Sequence, residues 1–170
     1  MVTVAIMAVL AALAAPSFTP LIERWRVRQA AQELESTLYF ARSEAIKRGG
    51  GVSILKSSDM DGCTNAGSNT LWGCGWEVFA DANGNGTKDA GETSLQLTAP
   101  PNRVAIELTG SNGYLTVDRW GMLAHGGGAP TALDFLLTPQ GKDANANGAT
   151  RLCTGTGGRI VQVKGSDSCS

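Results

Sequence analysis

Twelve residues from Asp81 to Glu92 (DANGNGTKDAGE) place oxygen donors at the spacing of a calcium-binding loop. Asp81, Asn83 and Asn85 offer side-chain oxygens at alternating positions, and Gly86 permits the sharp turn. Thr87 supplies a carbonyl, Asp89 a further carboxylate, and Glu92 can close the cage with two oxygens. Only three of these groups are anionic, so the affinity expected is modest. The competing chemistry is an Asn-Gly turn closed by its own side-chain hydrogen bonds, with no ion, because Asn and Gly are what tight turns require. Asp143-Ala-Asn145-Ala-Asn147-Gly148 repeats the start of this pattern but has Thr154 where the closing carboxylate belongs, and reads as a plain loop.

Cys63, Cys74, Cys153 and Cys169 are the chain's four cysteines. An even number in a loop-rich region reads as two disulfides and an oxidising compartment. Three pairings are open, and the short separations favour Cys63 with Cys74 and Cys153 with Cys169. Zinc is the weaker reading, because no Cys-x-x-Cys occurs and the chain has one histidine, His125, beside Gly126, Gly127 and Gly128. His125 is expected in a flexible surface turn. No nucleophile, base and orienting partner can be assembled from the sequence, so no catalytic residue and no enzymatic activity are expected. No cofactor is required, and calcium is the one candidate.

These residues must be positioned by two very different halves. The first 22 residues, Met1 to Ile22, contain no charged side chain. As a helix this run is roughly 33 Å long against about 30 Å of bilayer hydrocarbon, enough to span it. It exceeds the apolar core of a cleavable signal, and cleavage after Ala15 is the lesser alternative. Pro16 and Pro20 are expected to kink or melt a turn. From Glu23 to Arg48 a second half of the rod follows. Val27, Ala30, Ala31, Leu34, Leu38, Ala41 and Ala45 recur at steps of three and four and form one apolar stripe, and Gly49 to Gly51 end the helix. Trp25 lies where an aromatic residue would mark the membrane boundary.

Residues 49–170 read as a β-rich head. Strands are expected near Val52–Lys56, Trp76–Ala80, Ser94–Thr98, Val104–Thr109, Tyr114–Arg119, Leu133–Leu137, Arg151–Thr154 and Arg159–Lys164. Trp72, Trp76 and Trp120 are expected in the core or against the disulfides. Arg24, Arg26 and Arg28, just after the span, would hold the head in the cytoplasm by the positive-inside rule. The disulfides argue for the opposite side, and the cysteines are given the greater weight.

The run MVTVAIMAVLAALAAPSF followed by an amphipathic helix resembles the N-terminal rod of type IV pilins and type II secretion pseudopilins. ELESTLYFARSEAIKRG, GWEVFADANGNGTKDAGE and LDFLLTPQG together are similar to the GspH/FimT group of minor pilins and pseudopilins. The resemblance implies an α+β fold of type IV pilin kind, with a long N-terminal helix, transmembrane over 1–22 and amphipathic over 23–48, packed on a β-rich head. In that family a basic leader and a Gly-Phe-Thr-Leu-Ile-Glu-Leu stretch precede the run. The sequence here opens inside the rod, so the processing site and the assembly glutamate correspond to none of its residues.

The implied function is a non-enzymatic structural subunit of a type II secretion pseudopilus or type IV pilus, anchored by a single pass in the bacterial inner membrane with a periplasmic head. Its partners would be other pilin or pseudopilin subunits and the inner-membrane assembly platform. Leu10, Leu13, Phe18, Leu21 and Val27 are the expected helix-packing residues. The alternatives are a DNA-binding minor pilin for natural transformation, or a single-span periplasmic binding protein. Relatives that take up DNA carry Gly-Arg-x-Arg near the C-terminus, whereas Gly158-Arg159-Ile160-Val161 has one arginine of the two. The helix from Glu23 to Arg48 takes six of the chain's 14 basic residues and four of its 15 acidic ones, leaving the head with three more acidic than basic. Such a head is a poor partner for phosphates, and a patch of Arg151, Arg159 and Lys164 is the residual candidate.

Overall fold

The computed structural model describes residues 2–4, 18–60, 63 and 67–169. Most of the uncharged run, with Leu10, Leu13 and Pro16, lies outside the described residues. Helix α1 (Thr19–Arg48) begins without a capping side chain, and Pro20 falls in its first turn. There its missing amide costs nothing, because the first N–H groups of a helix have no intrahelical acceptor. The helix ends where the glycines predict. Gly49 adopts a left-handed conformation, and the amide of Gly50 closes on the carbonyl of Ala45 at 2.8 Å.

Among the described residues nine strands follow: β1 (Val52–Lys56), β2 (Trp76–Ala80), β3 (Ser94–Thr98), β4 (Val104–Leu108), β5 (Tyr114–Val117), β6 (Leu123–His125), β7 (Leu133–Pro139), β8 (Thr150–Thr154) and β9 (Ile160–Lys164). They form two antiparallel sheets, β3-β2-β1-β5-β6 and β4-β7-β8-β9. Eight of the nine fall on the segments expected from sequence, and their pairing continues the alternation there; for example Ile54 faces Val78 on one side and Leu115 on the other. β6 is the strand that the sequence does not announce. It is three residues long and pairs Leu123, Ala124 and His125 with Val117, Thr116 and Leu115.

All seven stripe residues of α1 are buried, and the helix lies over β7, β8 and β4 of one sheet and β1 and β5 of the other. Both sheets and the helix thus share one core. Alanines at four of the seven positions leave no bulk between helix axis and strands, while Leu34 and Leu38 fill the space between the sheets. The stripe contains one polar side chain. Thr37 donates its hydroxyl to the carbonyl of Glu33 at 3.0 Å and accepts from Trp76 Nε1 at 3.1 Å and Gln96 Nε2 at 3.2 Å. One buried oxygen therefore ties the helix to β2 and β3.

Thr37→Val keeps the shape but leaves the indole N–H of Trp76 without an acceptor. Urea unfolding should show a loss of about 1–3 kcal/mol, and the loss should shrink in a Trp76→Phe background, where no donor is orphaned. Equal losses in both backgrounds would contradict the assignment.

Candidate functional site

The Asp81–Glu92 segment connects β2 to β3, beyond a register shift between Val78 and Phe79. It is a hairpin connection, as the flanking sequence predicts. Asp81 is 1% exposed. Its Oδ2 accepts from Ser53 Oγ at 2.6 Å and the Gly86 amide at 2.9 Å, and its Oδ1 accepts from the Asn85 amide at 3.2 Å. Glu92 accepts from the amides of Ala82 and Asp89, both at 3.0 Å. The side-chain amides of Asn83 and Asn85 both donate to Asp89 Oδ2, at 2.8 and 2.9 Å, and the Thr87 amide donates to Asn85 Oδ1 at 2.7 Å.

Donor N–H groups, not free oxygens, thus fill the centre of the loop. A calcium ion at this place would require both asparagine amides to turn over, since Asp89 Oδ2 accepts from each of them. Among the described residues no group of three or more His, Cys, Asp or Glu is placed to hold a metal. What the loop does is close against the sheet. At Gly86 (φ 71°) a Cβ would lie 2.0 Å from the Tyr114 ring, so the turn and the ring occupy space that only glycine leaves open.

The cysteines pair as Cys63–Cys74 and Cys153–Cys169, stapling the segment before β2 and the C-terminal tail to β8. The Arg151, Arg159 and Lys164 patch is not a cluster of available cations. Arg151 Nη1 lies 2.7 Å from each carboxylate oxygen of Asp134, and its Nε donates to the Gly165 carbonyl at 3.0 Å. Its charge is spent inside the sheet; Arg159 and Lys164 are exposed. The Asp143 loop has a role its motif does not disclose. Lys142 bonds Glu23 at 2.6 Å, Arg24 donates to Asn147 Oδ1, and the Gly148 backbone lies against Arg24. The loop clamps the head to the start of α1.

His125 is not in a flexible turn: it ends β6, half-buried, with Nδ1 lacking a hydrogen-bond partner. Burial pushes its imidazole below the ordinary histidine range. Trp72 and Trp76 are core, Trp72 meeting Phe135 edge-on with centroids 5.8 Å apart. Trp120 is the exception among the three. It is 70% exposed on the β5–β6 turn, held there because Asp118 accepts the amides of Trp120 and Met122, with the Arg119 guanidinium 5.9 Å from its ring.

The expected helix-packing residues divide at one point. Phe18, Leu21 and Trp25 are 57%, 62% and 64% exposed, and Ile22 is also exposed. Val27 is fully buried. It belongs to the head's own core rather than to a surface that another rod could use, because it is the first stripe residue that the sheets reach. Leu10 and Leu13 lie outside the described residues. Below Val27, then, the helix presents large apolar side chains that the head does not cover.

The model of the family described as type II transport protein GspH matches residues 30–168. No curated protein matches the chain. The type IV minor pilin FimU of Pseudomonas aeruginosa, in two crystal forms, is 24% identical. It superposes with TM-scores of 0.61 and 0.58 over 86% and 84% of this chain and 97% and 99% of FimU. The minor pseudopilin EpsH from the type 2 secretion system of Vibrio cholerae is 14% identical, with a TM-score of 0.48 over 84% of this chain and 99% of EpsH.

Two outcomes check the site. Asp81→Ala leaves the Ser53 hydroxyl and the Gly86 amide without their acceptor, while the Asn85 amide keeps Asn83 Oδ1; it should lower stability by about 2–4 kcal/mol, equally in calcium and in EDTA, by thermal unfolding, and a wild-type melting temperature raised by calcium and not in the variant would contradict this. For His125, a depressed folded pKa means that the unfolded chain takes up the proton first as pH falls. The stability from the neutral ring is complete above the ordinary value of 6.5 and declines as pH drops below it. NMR titration of this single histidine, folded and in urea, should give the lower pKa in the folded protein.

Proposed function

The chain belongs to the GspH family of type II transport proteins, a group of minor pilins and pseudopilins, and on that premise we propose that it is a non-enzymatic subunit assembled into a pilus or pseudopilus. The uncharged run spans the inner membrane once, and the head lies in the periplasm, where the two disulfides form. Its partners are sister subunits and the inner-membrane platform that moves them out of the bilayer.

The observation that carries this reading is the break at Val27. Upstream of it Phe18, Leu21, Ile22 and Trp25 are exposed, while downstream the apolar stripe of the same helix is buried in the head's core. Burying apolar side chains is worth roughly 1.5–3 kcal/mol each. In the membrane lipid covers them, and in the fibre the rods of neighbours do. Transfer between the two environments keeps the apolar surface away from water throughout, which lets a subunit move without unfolding its head.

A photo-crosslinking residue at Leu21 of the full chain, in assembling cells, should join it to other fibre subunits. The same residue at Leu34, fully buried under the sheets, should not. Leu21→Asp should cut incorporation into the fibre by about tenfold or more, given an unfavourable term of a few kcal/mol for a buried carboxylate, with the melting temperature of the head unchanged. A fibre assembled normally from the Leu21→Asp chain would overturn the reading.

A further inference from the structure

The base of the head holds a cavity of about 500 Å³ between the start of α1 and the loops around Arg103 and Gln140. Its lining includes Ile22, Glu23, Arg26, Arg103 and Pro139. Glu23 is already neutralised by Lys142, at 2.6 Å. Neither Arg26 nor Arg103 makes an ion pair or side-chain hydrogen bond among the described residues, so two arginines line one cavity whose carboxylate, Glu23, is paired with Lys142. Arg26 also lines an adjoining groove of about 270 Å³ together with Trp25, Glu33, Pro100 and Pro101. The wall is thus cationic on one side and apolar on the other.

The backbone at Arg103 supplies a second, independent observation. Its φ is 56°, in the left-handed region, where fifteen described glycines also sit and where Arg103 is the one non-glycine among the described residues. The preceding Pro100-Pro101 pair restricts the approach, and the Arg103 carbonyl accepts from the Gln140 amide at 3.0 Å. An L side chain costs backbone energy there that glycine would not. Local folding favours glycine at this position, yet the chain places an arginine there, in the lining of the cavity that Arg26 shares.

Position identifies the partner. Ile22, the last residue of the uncharged run, lines the cavity itself. With that run spanning about 30 Å of hydrocarbon, the cavity opens at headgroup depth, beside an exposed Trp25 of the kind that marks that boundary. Paired guanidinium groups are suited to the oxygens of a phosphate. We infer that this cavity binds the phosphate of an anionic phospholipid headgroup through Arg26 and Arg103, with Ile22 and Trp25 against the adjoining glycerol and acyl carbons. The inference rests on the membrane reading above. It also gives Arg26, one of the three arginines that follow the run, an anionic partner on the side of the membrane that the positive-inside rule disfavours.

The test uses the full chain in a neutral, phosphate-free detergent, titrated with short-chain phosphatidylglycerol, short-chain phosphatidylcholine or inorganic phosphate, with retention read by native mass spectrometry. Phosphatidylglycerol should bind at least about tenfold more tightly than phosphatidylcholine, and Arg26→Gln and Arg103→Gly should each weaken it by about tenfold. Arg103→Gly should melt at or above the wild-type temperature, since it relieves the left-handed backbone, which separates lost binding from lost folding. Equal retention of the two lipids, or undiminished phosphatidylglycerol binding by Arg103→Gly, overturns the inference. So does inorganic phosphate binding as tightly as the lipid, which would assign the cavity to a free anion. A sister subunit lost on Arg103→Gly while lipid is retained would assign it to a protein carboxylate and equally overturn it. Absence of lipid selectivity with the Leu21 cross-links intact removes this site alone; extraction of the full chain from membranes by alkaline carbonate removes the membrane reading beneath it.

Discussion

The close approach of one face of α1 to two sheets is the contact on which the rest of the molecule depends. Ala30, Ala31, Ala41 and Ala45 let the helix backbone sit near the strands, and Leu34 and Leu38 reach between them. A larger side chain at an alanine position would have to displace a sheet, since a core at crystal-like density has no slack to absorb it. Thr37 is the one polar atom set into that contact, and its oxygen is saturated by Glu33, Trp76 and Gln96. The helix is therefore held at one rotation and one height relative to the head.

Fixing the helix in that way decides what it leaves uncovered. The sheets reach Val27 and no further, so Phe18, Leu21, Ile22 and Trp25 stay largely exposed. The lower loops then serve the helix rather than a reaction. Lys142 with Glu23, and Asn147 with Arg24, fasten the head just above the uncovered turn, while Arg42 on the Gly158 carbonyl and Gln162 on Glu35 fasten the β8–β9 hairpin further along. Rigid attachment at this point means that a pull on the rod is transmitted to the head as a whole. The polar residues with the best formal motif, Asp81 to Glu92, likewise spend their hydrogen bonds on shaping a hairpin.

Much of this was legible because it follows from periodicity and punctuation. The 3-and-4 spacing of the stripe, the Gly49–Gly51 stop and the alternation in β1, β2, β4 and β5 are local signals, and the disulfides followed from short separations. What escaped was set by distant partners. β6 is too short to show an alternation and exists because β5 offers it an edge, which also moves His125 from a turn into a sheet. Trp120 stands outside the core because the Asp118 turn points it away, a fact of geometry and not of hydrophobicity. Arg151 looked like a free cation in sequence, and only the pairing of β7 with β8 brings Asp134 to it. The Asp143 segment looked like a plain loop because nothing local shows that its asparagine meets Arg24, 123 positions away.

The central claim is that α1 serves two cores, its own head's from Val27 onward and a shared one below. Carbene footprinting of the full chain, compared between detergent micelle and assembled fibre, reads this directly at side-chain resolution. Phe18, Leu21, Ile22 and Trp25 should stay shielded in both states, by detergent in one and by sister rods in the other, while the buried stripe from Val27 to Ala45 stays protected by the head throughout. Phe18 to Trp25 becoming labelled in the fibre, or labelling of the Val27–Ala45 stripe in either state, would contradict it.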